Sequence, residues 1–100
     1  MAFDAGGVLR YIRREGGRLR RLALSGASSL EEAGQILLEL ETPAPVQVDF
    51  SADASSLAIH APGALAGWLR VLAPGAQTVT LNGLPADFRP EGDYCVIALR

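Results

Sequence analysis

One hundred residues, 49% of them hydrophobic and 20% charged, suit a single globular domain and argue against wholesale disorder. A net charge of −2 gives no general reason to expect nucleic acid or anionic lipid as a partner, and no apolar run approaches the ~18–20 residues of a membrane-crossing helix. The first residues do not read as a signal peptide either, because Asp4, Gly6, Gly7 and Arg10 interrupt them.

Charge is unevenly spread along the chain. Six of the nine basic residues are Arg10, Arg13, Arg14, Arg18, Arg20 and Arg21, whereas residues 31 to 53 hold Glu31, Glu32, Glu39, Glu41, Asp49 and Asp53 without a base among them. This asymmetry predicts that the two segments lie side by side and pair; the alternative is a basic docking surface. In the same front stretch, Val8 to Arg14 and Arg18 to Leu24 flank Glu15-Gly16-Gly17 as a hairpin. A helix there would carry two adjacent interior glycines, at about 1 kcal/mol each.

Residues 28 to 41 admit two readings. Ser28 or Ser29 followed by Glu31 or Glu32 fits a capping box, and Leu30, Ala33, Leu37 and Leu40 then form a helical stripe that Pro43 ends. Alternatively Glu32 to Gln35 turns, and Ile36, Leu38 and Leu40 alternate as a strand. Local signals favour the helix; the flanking segments favour the hairpin.

Beyond Pro45 the pattern has a period of two. Val46-Gln47-Val48-Asp49-Phe50 alternates with three apolar residues inward, and Leu57-Ala58-Ile59-His60 follows after a polar turn. Gly67 to Ala73 reads as a strand with Leu69 and Val71 inward and Trp68 and Arg70 outward. Asn82-Gly83 is the favoured pair for a two-residue type I′ turn, which needs φ > 0 at both positions. That turn pairs Leu81 with Leu84, Thr80 with Pro85, Val79 with Ala86 and Gln77 with Phe88, and turns Val79, Leu81, Leu84, Ala86 and Phe88 to one face. It also ranks Gly83→Val as costlier than Asn82→Ala. Arg89 to Asp93 then turns, and Tyr94 to Leu99, apolar on both faces, reads as a central or covered strand. Short segments between closely spaced Gly, Pro, Asn and Ser turns predict an all-β fold, an antiparallel two-sheet sandwich of short strands ending in a C-terminal meander. The alternative is an α+β chain with its helix at about 29–41.

Little in the chain points to catalysis. Cys95, the lone cysteine, falls in an apolar run and reads as a buried, inert thiol. His60 is the only imidazole, so a transition-metal site has almost no ligands to use, and a cysteine or serine triad would have to recruit that one residue as its base. Ser25, Ser28, Ser29, Ser51, Ser55 and Ser56 lie in no G-x-S-x-G elbow, and without lysine there is no phosphate loop. A paired-carboxylate glycosidase would need a deep cleft that a domain this small has little material to build. No catalytic residue, metal or cofactor is expected. The best binding candidates are Trp68 and Arg70, which share the outward face of one strand. They suit a protein-contact anchor or a sugar-stacking platform, unless Trp68 packs beneath a neighbouring loop.

The last quarter carries a resemblance. Val79-Thr80-x-Asn82-Gly83-x-Pro85-x-x-Phe88 followed by Gly92-x-Tyr94-x-x-Ile97 resembles the C-terminal β-sandwich domains of heparinase II/III-like polysaccharide lyases and several glycoside hydrolases. It covers residues 77 to 99 firmly and 46 to 73 loosely. Such domains are usually non-catalytic and pack beside the catalytic domain, so the resemblance implies an accessory module of a carbohydrate-active enzyme and transfers no catalytic residue. The expected partner is a neighbouring catalytic domain or another protein, with carbohydrate and a second copy of the chain as further candidates; nucleic acid and membrane are not expected. A second resemblance, to the STAS domains of anti-sigma-factor antagonists, rests on Val46 to Ser51. It implies a regulatory α/β interaction domain with helices at 28 to 41 and 63 to 73, but the phosphorylatable serine of that family has no match here.

Overall fold

The computed structural model describes residues 9–42, 44–61 and 67–99. These residues form eleven strands and no helix. In chain order they are β1 (Leu9–Glu15), β2 (Arg18–Ser25), β3 (Ser29–Glu32), β4 (Gln35–Leu40), β5 (Val46–Phe50), β6 (Ser56–His60), β7 (Gly67–Leu72), β8 (Thr78–Leu81), β9 (Leu84–Pro85), β10 (Arg89–Glu91) and β11 (Tyr94–Leu99). Two sheets result. The first runs β1-β2-β5-β6-β8-β9 and the second β10-β11-β7-β4-β3. Every pairing is antiparallel except β6 with β8. The chain passes between the sheets repeatedly, so neither sheet is one continuous stretch of sequence.

Alternation along each strand decides what lies between the sheets. Leu22, Leu24, Val46, Val48, Phe50, Leu57, Ile59 and Val79 from the first sheet meet Leu30, Leu38, Leu40, Leu69, Val71, Cys95 and Ile97 from the second, all of them buried. Each large aliphatic side chain withdrawn from water contributes about 1.5–3 kcal/mol. The period-two readings at Val46–Phe50 and at Leu69 and Val71 hold, and Tyr94 to Leu99 is flanked by β10 and β7.

Residues 28 to 41 form a hairpin, which corrects the helical alternative. β3 and β4 are joined by Ala33-Gly34, both at positive φ (53° and 81°). The pairing shifts between Leu30↔Leu38 and Glu31↔Ile36, so Leu37 is the extra residue of a β-bulge. That bulge lets the neighbours Leu37 and Leu38 both reach the core, at 2% and 0% exposure. The apolar spacing that imitates a helix is therefore a strand with one inserted residue. A similar shift in the front hairpin falls between Arg13↔Arg21 and Arg14↔Leu19, making Arg20 the extra residue of β2. It brings Leu19, three positions before Leu22, onto the core side.

The Asn82-Gly83 hairpin is real but shorter than its pattern implies. Asn82 and Gly83 have φ of 51° and 86°, and the pairs Leu81↔Leu84 and Thr80↔Pro85 form as expected. Ala86 N–H then donates to the Val79 carbonyl (2.9 Å), after which the chain departs to build β10 in the other sheet. Gln77 does not pair with Phe88: its N–H goes to the Ser55 carbonyl (2.7 Å) as β8 joins β6. Leu84, at the outer edge beside this turn, is 69% exposed rather than inward. The C-terminal strands consequently divide between two sheets instead of forming one meander. The Asn82 side chain has a second task. Its Oδ1 accepts from Ala61 N–H (2.8 Å) and its Nδ2 donates to the Ala61 carbonyl (3.1 Å), extending the β6–β8 ladder by one side-chain rung.

Candidate binding surface

The second sheet's outer face carries the two residues singled out from sequence. Because Leu69 and Val71 turn inward, Trp68 and Arg70 must turn outward, and both are half-buried there. β11 lies alongside with Ala98↔Trp68, Val96↔Arg70 and Tyr94↔Leu72. Small side chains at Ala98 and Val96 stand beside the tall indole, so a depression opens next to Trp68. The segment leading into β10 walls it with Asp87, Phe88 and Arg89. The depression measures about 390 Å³ and is lined by Trp68, Asp87, Phe88, Arg89, Val96 and Ala98. A second of about 280 Å³ adjoins it through Trp68, Arg89 and Val96 and reaches Glu39, Arg70 and Glu91.

Arg70 organises this face. Its guanidinium carbon lies 5.7 Å from the Trp68 ring centre and 5.3 Å from that of Tyr94, a cation–π contact on each. Nη2 is bound to Glu39 and Nη1 lies 3.3 Å from Glu91 Oε1, while the other oxygen of that carboxylate, Oε2, is 3.4 Å from Arg89 Nη2. The hydrogen bond that Arg70 donates to Glu39, with the charges of Glu39 and Glu91, holds the Arg70 pKa above its ordinary value against the opposing effect of burial. Its Nε is buried without a hydrogen-bond partner among the described residues, an expense that the two flanking ring faces partly offset. Tyr94 is fixed at its far end, its hydroxyl donating to the Ile36 carbonyl (2.9 Å) across β7. The sequence pattern found Trp68 and Arg70 by parity alone. It missed Tyr94, Glu39, Glu91 and Phe88, which reach this face only through the strand order β10-β11-β7-β4.

The remaining candidates lie elsewhere. Arg14 binds Glu32 across the sandwich edge, and Arg21 Nε lies 2.6 Å from Asp49 Oδ1. The front arginines thus pair in part with the acidic middle segment, as their distribution predicts. They lie on β1 and β2 of the first sheet, away from Trp68, and the arginines beside the indole are Arg70 and Arg89. The hydrogen bond from Arg14 lowers the Glu32 pKa. His60 is exposed on the first sheet with its Nε2 3.4 Å from Asp49 Oδ2. Ser51 and Ser55 serve a turn: Asp53 Oδ1 accepts from Ser55 Oγ (2.7 Å), Ser51 Oγ (2.8 Å) and Ser55 N–H (3.1 Å), which together pull its pKa down to about 2. Cys95 is 2% exposed, and burial pushes its thiol pKa up. Among the described residues no group of three or more His, Cys, Asp or Glu side chains is placed to hold a metal ion. Compared with protein-family models, with curated proteins and with solved structures, the chain matches none.

Proposed function

We propose that the chain is a non-catalytic accessory β-sandwich of a carbohydrate-active enzyme and that its working surface is the groove beside Trp68. The observation that carries this reading is a pre-ordered array. Trp68, Arg70 and Tyr94 stack on one sheet face, Glu39 and Glu91 hold the cation between them, and an apolar depression opens alongside. Trp, Arg and Tyr are the residue types that dominate binding energetics, and an ordered array loses little entropy on binding. The resemblance of residues 77 to 99 to lyase-associated sandwich domains supports the same assignment. So does the scattering of the reactive groups: His60 is on the opposite sheet, Cys95 is buried, and Asp53 is tied into its turn.

Two measurements test the reading. The purified chain should give no turnover on a uronic-acid polysaccharide or a neutral β-glucan; turnover abolished by Asp49→Asn or Glu91→Gln would end it. Trp68→Ala should keep the fold and lose less than about 2 kcal/mol, because the indole lies on an outer face. A loss above ~3 kcal/mol, the range of buried Trp truncations, would make Trp68 a core residue and remove the groove from the account.

A further inference from the structure

Resting on that reading, we infer that the groove binds a neutral glycan, with a pyranose ring stacked on Trp68 and its hydroxyls turned to Asp87, Arg89 and Glu91. A pyranose offers a face of C–H groups and an equator of hydroxyls that both donate and accept. The groove matches both. Its floor is the half-buried indole with Val96 and Ala98 beside it, and its rim holds carboxylates that accept and guanidinium groups that donate. The two adjoining depressions, about 390 and 280 Å³, share Trp68, Arg89 and Val96, so they form one continuous trough within the size range of small-ligand sites.

Charge selects the neutral ligand over an anionic one. Three carboxylates, Glu39, Asp87 and Glu91, face two guanidinium groups, Arg70 and Arg89. Both terminal nitrogens of Arg70 are already engaged by Glu39 and Glu91. A sulfate or uronate there would meet three carboxylates and find Arg70 occupied, leaving Arg89 alone to hold it. Charge also argues against a protein partner, because interface centres are depleted of charged residues and a dry contact here would strand several of them. Hydroxyls and retained water can satisfy all of these groups.

Trp68 is the only tryptophan of the chain, so its emission reports on the groove without a label. The full chain is titrated with cellohexaose, mannohexaose and maltohexaose as neutral probes and with a heparin-derived hexasaccharide as the anionic one. At least one neutral probe should shift the emission to shorter wavelength saturably, and Asp87→Asn should weaken that probe about fivefold or more by calorimetry, as expected for a lost charge-assisted hydrogen bond. A flat response to all three neutral probes at 10 mM, about the weakest binding of interest, overturns the inference. So does tighter binding of the heparin hexasaccharide. Emission that shifts with protein concentration but not with sugar assigns the groove to a second copy of the chain and overturns it as well. These failures would leave the accessory reading standing, since that reading falls to turnover.

Discussion

Removing the Asn82 side chain tests the tie between the C-terminal hairpin and the rest of the first sheet. Its amide makes two hydrogen bonds to the backbone of Ala61, a residue only 5% exposed, so water is poorly placed to replace them. Two net bonds at about 1 kcal/mol each set the loss for Asn82→Gly near 2 kcal/mol, with about 0.5–1 kcal/mol more from glycine's chain entropy. Asn82→Ala loses the same bonds and puts a Cβ at φ 51° without the local bonding that eases asparagine there. That adds about 1–2 kcal/mol, for a total of about 3–4 kcal/mol. Gly83→Val meets open space around its new Cβ and carries backbone strain alone, about 2 kcal/mol. On these figures Asn82→Ala is the costlier change, the opposite of the ranking expected from turn chemistry, in which Gly83→Val is the worse. Urea unfolding followed by circular dichroism gives each value at constant m. Asn82→Gly within ~0.5 kcal/mol of wild type would show that the Ala61 bonds carry nothing, and the reversed ranking would fall with them.

Ala33→Gly should stabilise the chain by about 0.5 kcal/mol, raising Tm by about 2–4 °C, because relief of a non-glycine residue at φ 53°, about 1–2 kcal/mol, outweighs glycine's added chain entropy of about 0.5–1 kcal/mol; an unchanged or lower Tm refutes the strain. Acid should reveal Asp53, whose pKa is lowered from 3.8 to about 2 by its serine hydrogen bonds. The folded state holds the proton less tightly than the unfolded one, so this stabilisation is complete above about pH 4 and is lost as pH falls through about 2. Unfolding midpoints between pH 4 and 2 should consequently drop more steeply for wild type than for Asp53→Asn, and parallel curves would contradict the assignment. Native Cys95 should resist a thiol-specific disulfide reagent at pH 8 and react on denaturation, since burial raises its pKa; fast labelling of the native chain would place the thiol outside the core.

The sheet faces were largely legible because parity is a local property. Leu69 and Val71 inward imply Trp68 and Arg70 outward, whatever lies next to the strand. Paired glycines at 16 and 17 and Asn82-Gly83 marked two turns through the φ values they permit. Legibility ended where a strand departs from strict alternation. Leu37 is an inserted residue and Ala33 is a poor turn former, so residues 29 to 40 imitated a helix stripe. It ended again wherever contacts depend on strand order. Nothing near Arg70 in sequence names Glu39, 31 residues away, or Glu91, 21 residues away, as its partners. Nor does the Asn82 motif, which signals a turn, disclose that its amide grips Ala61.

The position of β11 bears on how the chain matures during synthesis. β7 must wait with one edge open until β11 emerges, because β11 lies between it and β10. At ~5–20 residues per second that delay is on the order of seconds. The β1–β2 and β3–β4 hairpins close from neighbouring sequence long before then. A ribosome-bound chain halted shortly after β7 should therefore expose Leu69 and Val71 beside an unpaired strand edge, the arrangement that recruits chaperones or other nascent chains. The groove beside Trp68 does not yet exist at that stage, since its floor at Val96 and Ala98 is among the last parts of the described chain to be made.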